Sequence, residues 1–367
     1  MEYIAQICTG GWTQRNYTAE EIIARLEKIT EMIPLKSVII GWNTDRSLYE
    51  KTGKWLHEHG VDMLLWLPVF SETADLKEAD EAVDLWNQSS GRVELSEGEN
   101  FSFCCPSSGR NIQNTIDIYE EYFSGCGFDG VFLDKIRTQS FAGGVSGVLS
   151  CGCELCQIEA MKRGFSLERF RLAYEKKKDR LFDAHGYDPD KGYVFANPMM
   201  SAFLQTKSRI VADAVNGLCR YFKQKGLIVG LDLYAPLFSP FVGQDYELLA
   251  CEADFIKPMM YRKTDAPAGI GYEYNVLKNA LPEAEGYEMP DMDRKFLTDQ
   301  LNTFRNLPIK KYPGIEINYR EDIARTDPEY IRDSMQALRE CGMDGAVLAW
   351  DVMLAPDSHL EAALISD

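Results

Sequence analysis

Short apolar runs alternate with longer stretches of helical periodicity along almost the whole chain, and the order is strand first, helix second. Eight runs read as strands: Tyr3 to Cys8, Ser37 to Trp42, Met63 to Val69, Gly130 to Asp134, Leu227 to Leu233, Asp254 to Tyr261, Gly314 to Asn318 and Gly345 to Trp350. Between them, TAEEIIARLEKITEMI gathers Ile22, Ile23, Leu26, Ile29 and Ile33 on one face and leaves its acids and bases on the other. In DPEYIRDSMQALRECG, Asp327 is placed to cap a helix, Pro328 to start it and Gly342 to stop it. Eight strand–helix units predict an α/β protein with a closed (β/α)8 TIM barrel.

The spacing is uneven once, because residues 138–226 separate the fourth strand from the fifth. That stretch holds the Gly-rich FAGGVSG, a cysteine cluster and helices, among them the long SAFLQTKSRIVADAVNGLCRYFKQKG. It reads as an inserted helical, cysteine-containing segment, either a small subdomain over the active face or a long fourth crossover. With no second core, internal repeat or low-complexity tract, residues 1–367 are expected to form one barrel domain. The rival fold, an open doubly wound sheet, wants a Gly-rich phosphate turn after its first strand, and Gly10-Gly11 alone does not supply one.

Composition narrows the partners. The chain has 367 residues, 45% hydrophobic and 26% charged, the ordinary globular mix. Its net charge of -18 repels phosphate backbones and anionic bilayers, which argues against nucleic acid or membrane partners and for a neutral ligand. The opening MEYIAQICTGGW reads as a strand and turn without a preceding leader, and no stretch approaches the roughly 18 apolar residues of a membrane span. A cytoplasmic location is therefore expected, although a chain trimmed of its leader would look the same. In that compartment the 10 cysteines read as thiols, a few of them metal ligands. A homo-oligomer is left open.

Catalytic groups of such barrels sit where strands end at the carboxyl face, so acids at strand tips are the first candidates. Asp134, Asp232, Glu316 and Asp351 qualify. Alternation sends Glu316, Asn318 and Arg320 toward the barrel axis if Ile315, Ile317 and Tyr319 face the helices, and likewise Gly230, Asp232 and Tyr234 if Val229, Leu231 and Leu233 do. Carboxylates converging in a cleft are what glycoside hydrolysis requires, one to protonate the leaving oxygen and one to attack or to activate water. The structural alternative is that these acids cap helices or pair with Arg137, Lys257, Arg262 and Arg320. Trp12, Trp42, Trp66, Tyr234, Tyr261 and Trp350 stand at strand ends and together could line a saccharide trough. Arg137, Lys257, Asn318 and Asp351 are expected to contact the substrate beside them. A second function class is a Schiff-base aldolase or lyase, with Lys257 in ADFIKPMMY as a desolvated amine. A third is a non-catalytic saccharide-binding barrel.

The most specific spacing is Cys151-x-Cys153-x-x-Cys156, three thiols able to wrap one zinc ion, with a fourth ligand from Cys104 or Cys105. A closed four-sulfur site would be structural. With 4 histidines, none in paired ligand spacing on a strand, a catalytic histidine-held metal finds no support, and without a P-loop or Gly-x-Ser-x-Gly elbow no organic cofactor is expected.

The run CPSSGRNIQNTIDIYEEYFSGCGFDGVFLDKIR resembles the fourth-strand region of the hypothetical glycosyl hydrolase-like barrel families. A Cys-Pro turn, a helix and a strand of the form Asp-Gly-(three apolar)-Asp-x-(apolar)-Arg follow in that order. ADFIKPMMY is similar to their sixth strand, and Cys105 with Cys151, Cys153 and Cys156 is similar to the zinc-binding cysteines of glycoside hydrolase family 42 β-galactosidases. The likeness covers the barrel loosely and residues 101 to 160 closely. It implies a carbohydrate-active barrel with Asp134 and Glu316 as catalytic partners and zinc on Cys105, Cys151, Cys153 and Cys156; on the reading of the residues Asp134 is the acid/base, Glu316 the nucleophile or water-activating base, and Asp232 the reserve carboxylate. Family 42 carries an Asn-Glu pair at its fourth strand where this chain has Leu133-Asp134, so the carboxyl gap, and with it retention or inversion, stays open.

Overall fold

The computed structural model describes residues 1–89, 102–189 and 192–364. Phe101, at the edge of the stretch of close resemblance, and residues 190–191 of the long insertion lie outside the described residues. Eight parallel strands form the barrel: β1 (Glu2–Cys8), β2 (Leu35–Gly41), β3 (Asp62–Pro68), β4 (Gly130–Asp134), β5 (Ile228–Leu233), β6 (Phe255–Pro258), β7 in two pieces (Lys310–Lys311 and Gly314–Glu316) and β8 (Gly345–Ala349). The ring closes on both sides of β7. Phe255 pairs with Lys310 and Met259 bridges Gly314 on one flank, while Gly314 to Glu316 pair with Val347 to Ala349 on the other. β8 then pairs with β1 from Glu2 and Gly345 to Ala5 and Leu348. β7 is broken at Tyr312-Pro313, where proline has no N–H to give to a ladder.

The helix signals act as their chemistry dictates. Thr18 and Glu21 form a capping box on the helix Ala19–Met32, whose Ile22, Leu26 and Ile29 are buried, whereas Ile23 is only half-buried. Asp327 accepts from the N–H groups of Glu329 and Tyr330 at the start of Pro328–Glu340, and Gly342 takes φ 70° just beyond its end.

The long stretch after β4 divides in two. Its last helix, Pro198–Gln224, is the barrel's own β4-to-β5 crossover, and directly before it the chain forms something the helical reading omits, an antiparallel hairpin of Ala184–Asp188 and Gly192–Phe195. Strands this short, with Gly186 and Gly192 in them, carry too little alternation to be recognised. Phe170, Phe182 and Phe203 from this stretch join the same hydrophobic cluster as the barrel strands.

Inside the barrel, Phe132 of β4, Gly230 of β5 and Phe255 of β6 lie on one level. The two rings stack with centroids 6.1 Å apart and planes 10° apart. They fit because position 230 carries no side chain: a Cβ there would sit 2.0 Å from the Phe255 ring. This aromatic layer forms a dry floor beneath the strand tips. Gly230→Ala is expected to lower stability by about 1–3 kcal/mol through overpacking, read as a lower midpoint of chemical denaturation with an unchanged slope.

Candidate active site

Above that floor, at the carboxyl ends of the strands, lies a cavity of about 260 Å³. Asp134 ends β4, Asp232 is the fifth residue of β5 and Lys257 the third of β6, and all three line it. Leu133 pairs with Leu231, so the two aspartates stand on adjacent strand tips. Trp66, Tyr234, Tyr261 and Trp350 supply flat walls around them.

Each carboxylate has a distinct environment. Asp134, 9% exposed, accepts from the Trp66 indole Nε1 at 2.8 Å and from the backbone N–H of Lys135. Asp232, 3% exposed, accepts from Lys257 Nζ at 3.0 Å through Oδ2, while its Oδ1 has no partner among the described residues. Burial pushes Asp232 up to about 7, with the Asp134 charge adding to the rise and Lys257 and Arg137 opposing it. Lys257 also donates to the Tyr261 hydroxyl at 2.7 Å. The Lys257 side chain is thus a paired ammonium rather than an amine open to a carbonyl.

Arg137 follows β4 and sits between two rings, its guanidinium carbon 4.6 Å from the Phe103 centroid and 4.4 Å from that of Tyr234. Tyr234 in turn donates to buried Glu273 at 3.0 Å, which also accepts from the Ala268 N–H. Glu273 is pushed up by its burial, against that N–H and the Arg137 charge.

Other expected residues lie elsewhere. Glu316 does not line the cavity. The chain after β6 folds across it: the Lys263 N–H donates to Oε1 at 2.6 Å, and Arg262 and Tyr330 of the helix layer are its neighbours. Burial pushes it up to about 7. The expected meeting of Asp134 and Glu316 across one pocket is therefore not what the structure builds. Arg320, expected toward the axis, pairs with Asp322 at the surface. Asp351 caps Val352–Leu354 and accepts from the Tyr17 hydroxyl at 3.0 Å, and Asn318 accepts from the Trp350 N–H at 3.1 Å, so both brace the rim from behind. Trp12 and Trp42 are buried behind Trp66 instead of facing the cavity, Trp12 donating to the Glu72 carbonyl and Trp42 packing edge-on against Trp66 at 5.2 Å.

Sequence reasoning missed Gln6, Thr264, Asp265 and Tyr272, all of which line the cavity. Gln6 had a signal, a lone amide inside the apolar run of β1. Its two amide atoms and the Thr264 hydroxyl are buried without partners among the described residues, which leaves donors and acceptors for a hydroxyl-rich ligand. The loop Thr264 to Ala268 carries no such mark.

The cysteine cluster assembles with Cys105 as its fourth member: the sulfurs of Cys105, Cys151, Cys153 and Cys156 all lie within 4.8 Å of one another. Cys104 points away, its sulfur 3.8 Å from the Thr73 hydroxyl. A zinc tetrahedron with bonds of about 2.3 Å spaces its sulfurs by about 3.8 Å, so these thiols fit one ion. Among the described residues, no helix is long and apolar enough to cross a membrane.

No protein-family model matches the chain, and no curated protein matches it either. Solved structures do resemble it. The glycoside hydrolase domain of PgaB (BpsB) from Bordetella bronchiseptica has a TM-score of 0.61 at 15% identity, covering 100% of each chain. Alpha-L-fucosidase isoenzyme 2 from Paenibacillus thiaminolyticus has a TM-score of 0.58 at 12% identity, covering 99% of this chain and 48% of that one. At such identities the likeness is one of fold, a barrel of the kind found in glycoside hydrolases. The family 42 resemblance rests on the cysteine spacing alone and gains nothing from these matches.

The cluster makes a direct prediction. Protein purified without chelator is expected to hold a stoichiometric zinc ion by elemental analysis, and Cys153→Ser to lose it and melt several degrees lower. A wild type that takes up no zinc on refolding would leave the four as free thiols.

Proposed function

We propose that the protein is a glycoside hydrolase acting on a neutral saccharide, with Asp134 and Asp232 as its carboxylate pair. The observation that carries this reading is that two buried aspartates on adjacent strand tips share one ring-walled cavity but have opposed surroundings. Divergent environments are how two like groups take acid and base roles. Asp232, raised to about 7, keeps a proton to give to the leaving glycosidic oxygen. Asp134, accepting N–H groups on both oxygens, faces the sugar carbon as it becomes positive and either bonds to it or orients the attacking water. Trp66 and Trp350 offer faces for sugar C–H groups, while Gln6 and Thr264 offer hydrogen bonds to hydroxyls. The resemblance in fold to the glycoside hydrolase domain of PgaB and to an α-L-fucosidase supports the reaction class.

Glu316 has no part in this scheme, and its seat under Lys263 argues for a structural role. The lyase reading loses its free amine because Lys257 is tied to Asp232 and Tyr261. The binding-barrel reading is separated by turnover.

On a glycoside identified by screening aryl glycosides and oligosaccharides, Asp134→Asn and Asp232→Asn are each expected to lower kcat by about 10²–10⁴-fold, and Glu316→Gln to keep kcat within about tenfold of wild type. Because Asp232 acts protonated, kcat should fall as pH rises through about 7. Wild-type turnover in both aspartate variants would end the proposal.

A further inference from the structure

We infer that Lys257 is a positioning residue that directs two hydrogens at the substrate, fixing the Asp232 proton on Oδ1 and turning the Tyr261 O–H toward the cavity. This rests on the reading of Asp232 as the acid. An ammonium has three donors and no acceptor. Lys257 Nζ lies 3.0 Å from Asp232 Oδ2 and 2.7 Å from the Tyr261 oxygen, so both of those oxygens must accept. Oδ2 is thereby occupied, and the Asp232 proton goes to Oδ1, the oxygen with no partner among the described residues. The Tyr261 oxygen, having accepted, has its own hydrogen left to donate, and Tyr261 lines the cavity.

Lys257 has no freedom to do otherwise. It is 1% exposed, and its ammonium lies 5.7 Å from the Phe132 centroid and 5.1 Å from that of Tyr261, so the aromatic floor seals it from below. The charged and titratable groups that face Asp232 come from three sides: Asp134 and Arg137 from β4 and the turn after it, Lys257 and Tyr261 from β6 and its extension, and Tyr246 from the helix after β5. Of these only Lys257 has a hydrogen bond to the carboxylate. In the reaction the Oδ1 hydrogen passes to the leaving oxygen as the glycosidic C–O bond breaks. The negative charge then left on Asp232 lies against the ammonium, which is already in place.

The test reads Asp232 itself. In protein labelled with carboxyl-¹³C aspartate, the resonance missing from Asp232→Asn is followed through pH in wild type, Lys257→Met and Lys257→Arg. Loss of the opposing charge in Lys257→Met is expected to move that titration up by about 1–3 pH units, with Lys257→Arg restoring most of it. On a turned-over glycoside, the alkaline limb of kcat should move up in step, with kcat lowered and KM little changed. Tyr261→Phe keeps the ammonium, so it should lower kcat and leave the Asp232 titration within about half a unit. An Asp232 resonance that titrates alike in wild type and Lys257→Met overturns the inference, as does equal loss of kcat at every pH in that variant. If the resonance moves but the wild type cleaves no glycoside, the charge coupling stands and the hydrolase reading falls.

Discussion

The buried hydrogen bond from Lys257 to Asp232 is the constraint from which the rest of the site follows. Both partners are almost wholly removed from water, at 1% and 3% exposure, on adjacent strands in register at Asp232 and Lys257. Such a pair is costly to bury, and removing one partner from a comparable pair costs about 3–5 kcal/mol because the other is left unmatched. The barrel supplies what makes burial tolerable. Tyr261 takes a second ammonium hydrogen, and the faces of Phe132 and Tyr261 take part of its charge. Of this pair, Asp232 Oδ1 is left without a partner among the described residues, and Asp232 lines the cavity.

The aromatic floor is what keeps that arrangement dry, and it depends on a residue with no side chain. Gly230 lets Phe132 and Phe255 stack across a level of the barrel where a branched residue would ordinarily fill the space. The floor lowers the local dielectric, which strengthens the attraction between Asp232 and Lys257 and the repulsion between Asp232 and Asp134 together. Packing and electrostatics are in this sense one feature: loosening the rings would admit water and return Asp232 toward ordinary carboxyl behaviour.

The barrel was legible because each strand is a short apolar run bounded by turn residues, and seven of the eight read that way along their length. β7 was read only in its second piece, since Lys310-Lys311 looks like solvent-facing chain until it pairs with β6. Within the site, Asp134, Asp232, Lys257, Trp66, Tyr234, Tyr261 and Trp350 were found from their place at strand ends, and all line the cavity. Glu316 shows the limit of that rule. Alternation states which face a side chain leaves from, but the fold of the next loop decides what it meets, and here the Lys263 backbone arrives first. Trp12 and Trp42 fail for a related reason: the carbonyl of Glu72 and the edge of Trp66, both distant in sequence, draw them into packing.

The cysteine cluster joins this picture through a single side chain. Cys105 lies two residues beyond Phe103, whose ring forms one face of the clamp on Arg137, and the other three sulfurs come from the stretch after β4. Joining Cys105 to Cys151, Cys153 and Cys156 ties the loop after β3 to that stretch, and that loop carries the Phe103 ring that lies against the Arg137 guanidinium. Arg137 is among the charges that oppose the rise of Asp232. The cluster is thereby joined to the Arg137 clamp through the chain, from sulfur to loop, loop to ring, and ring to guanidinium.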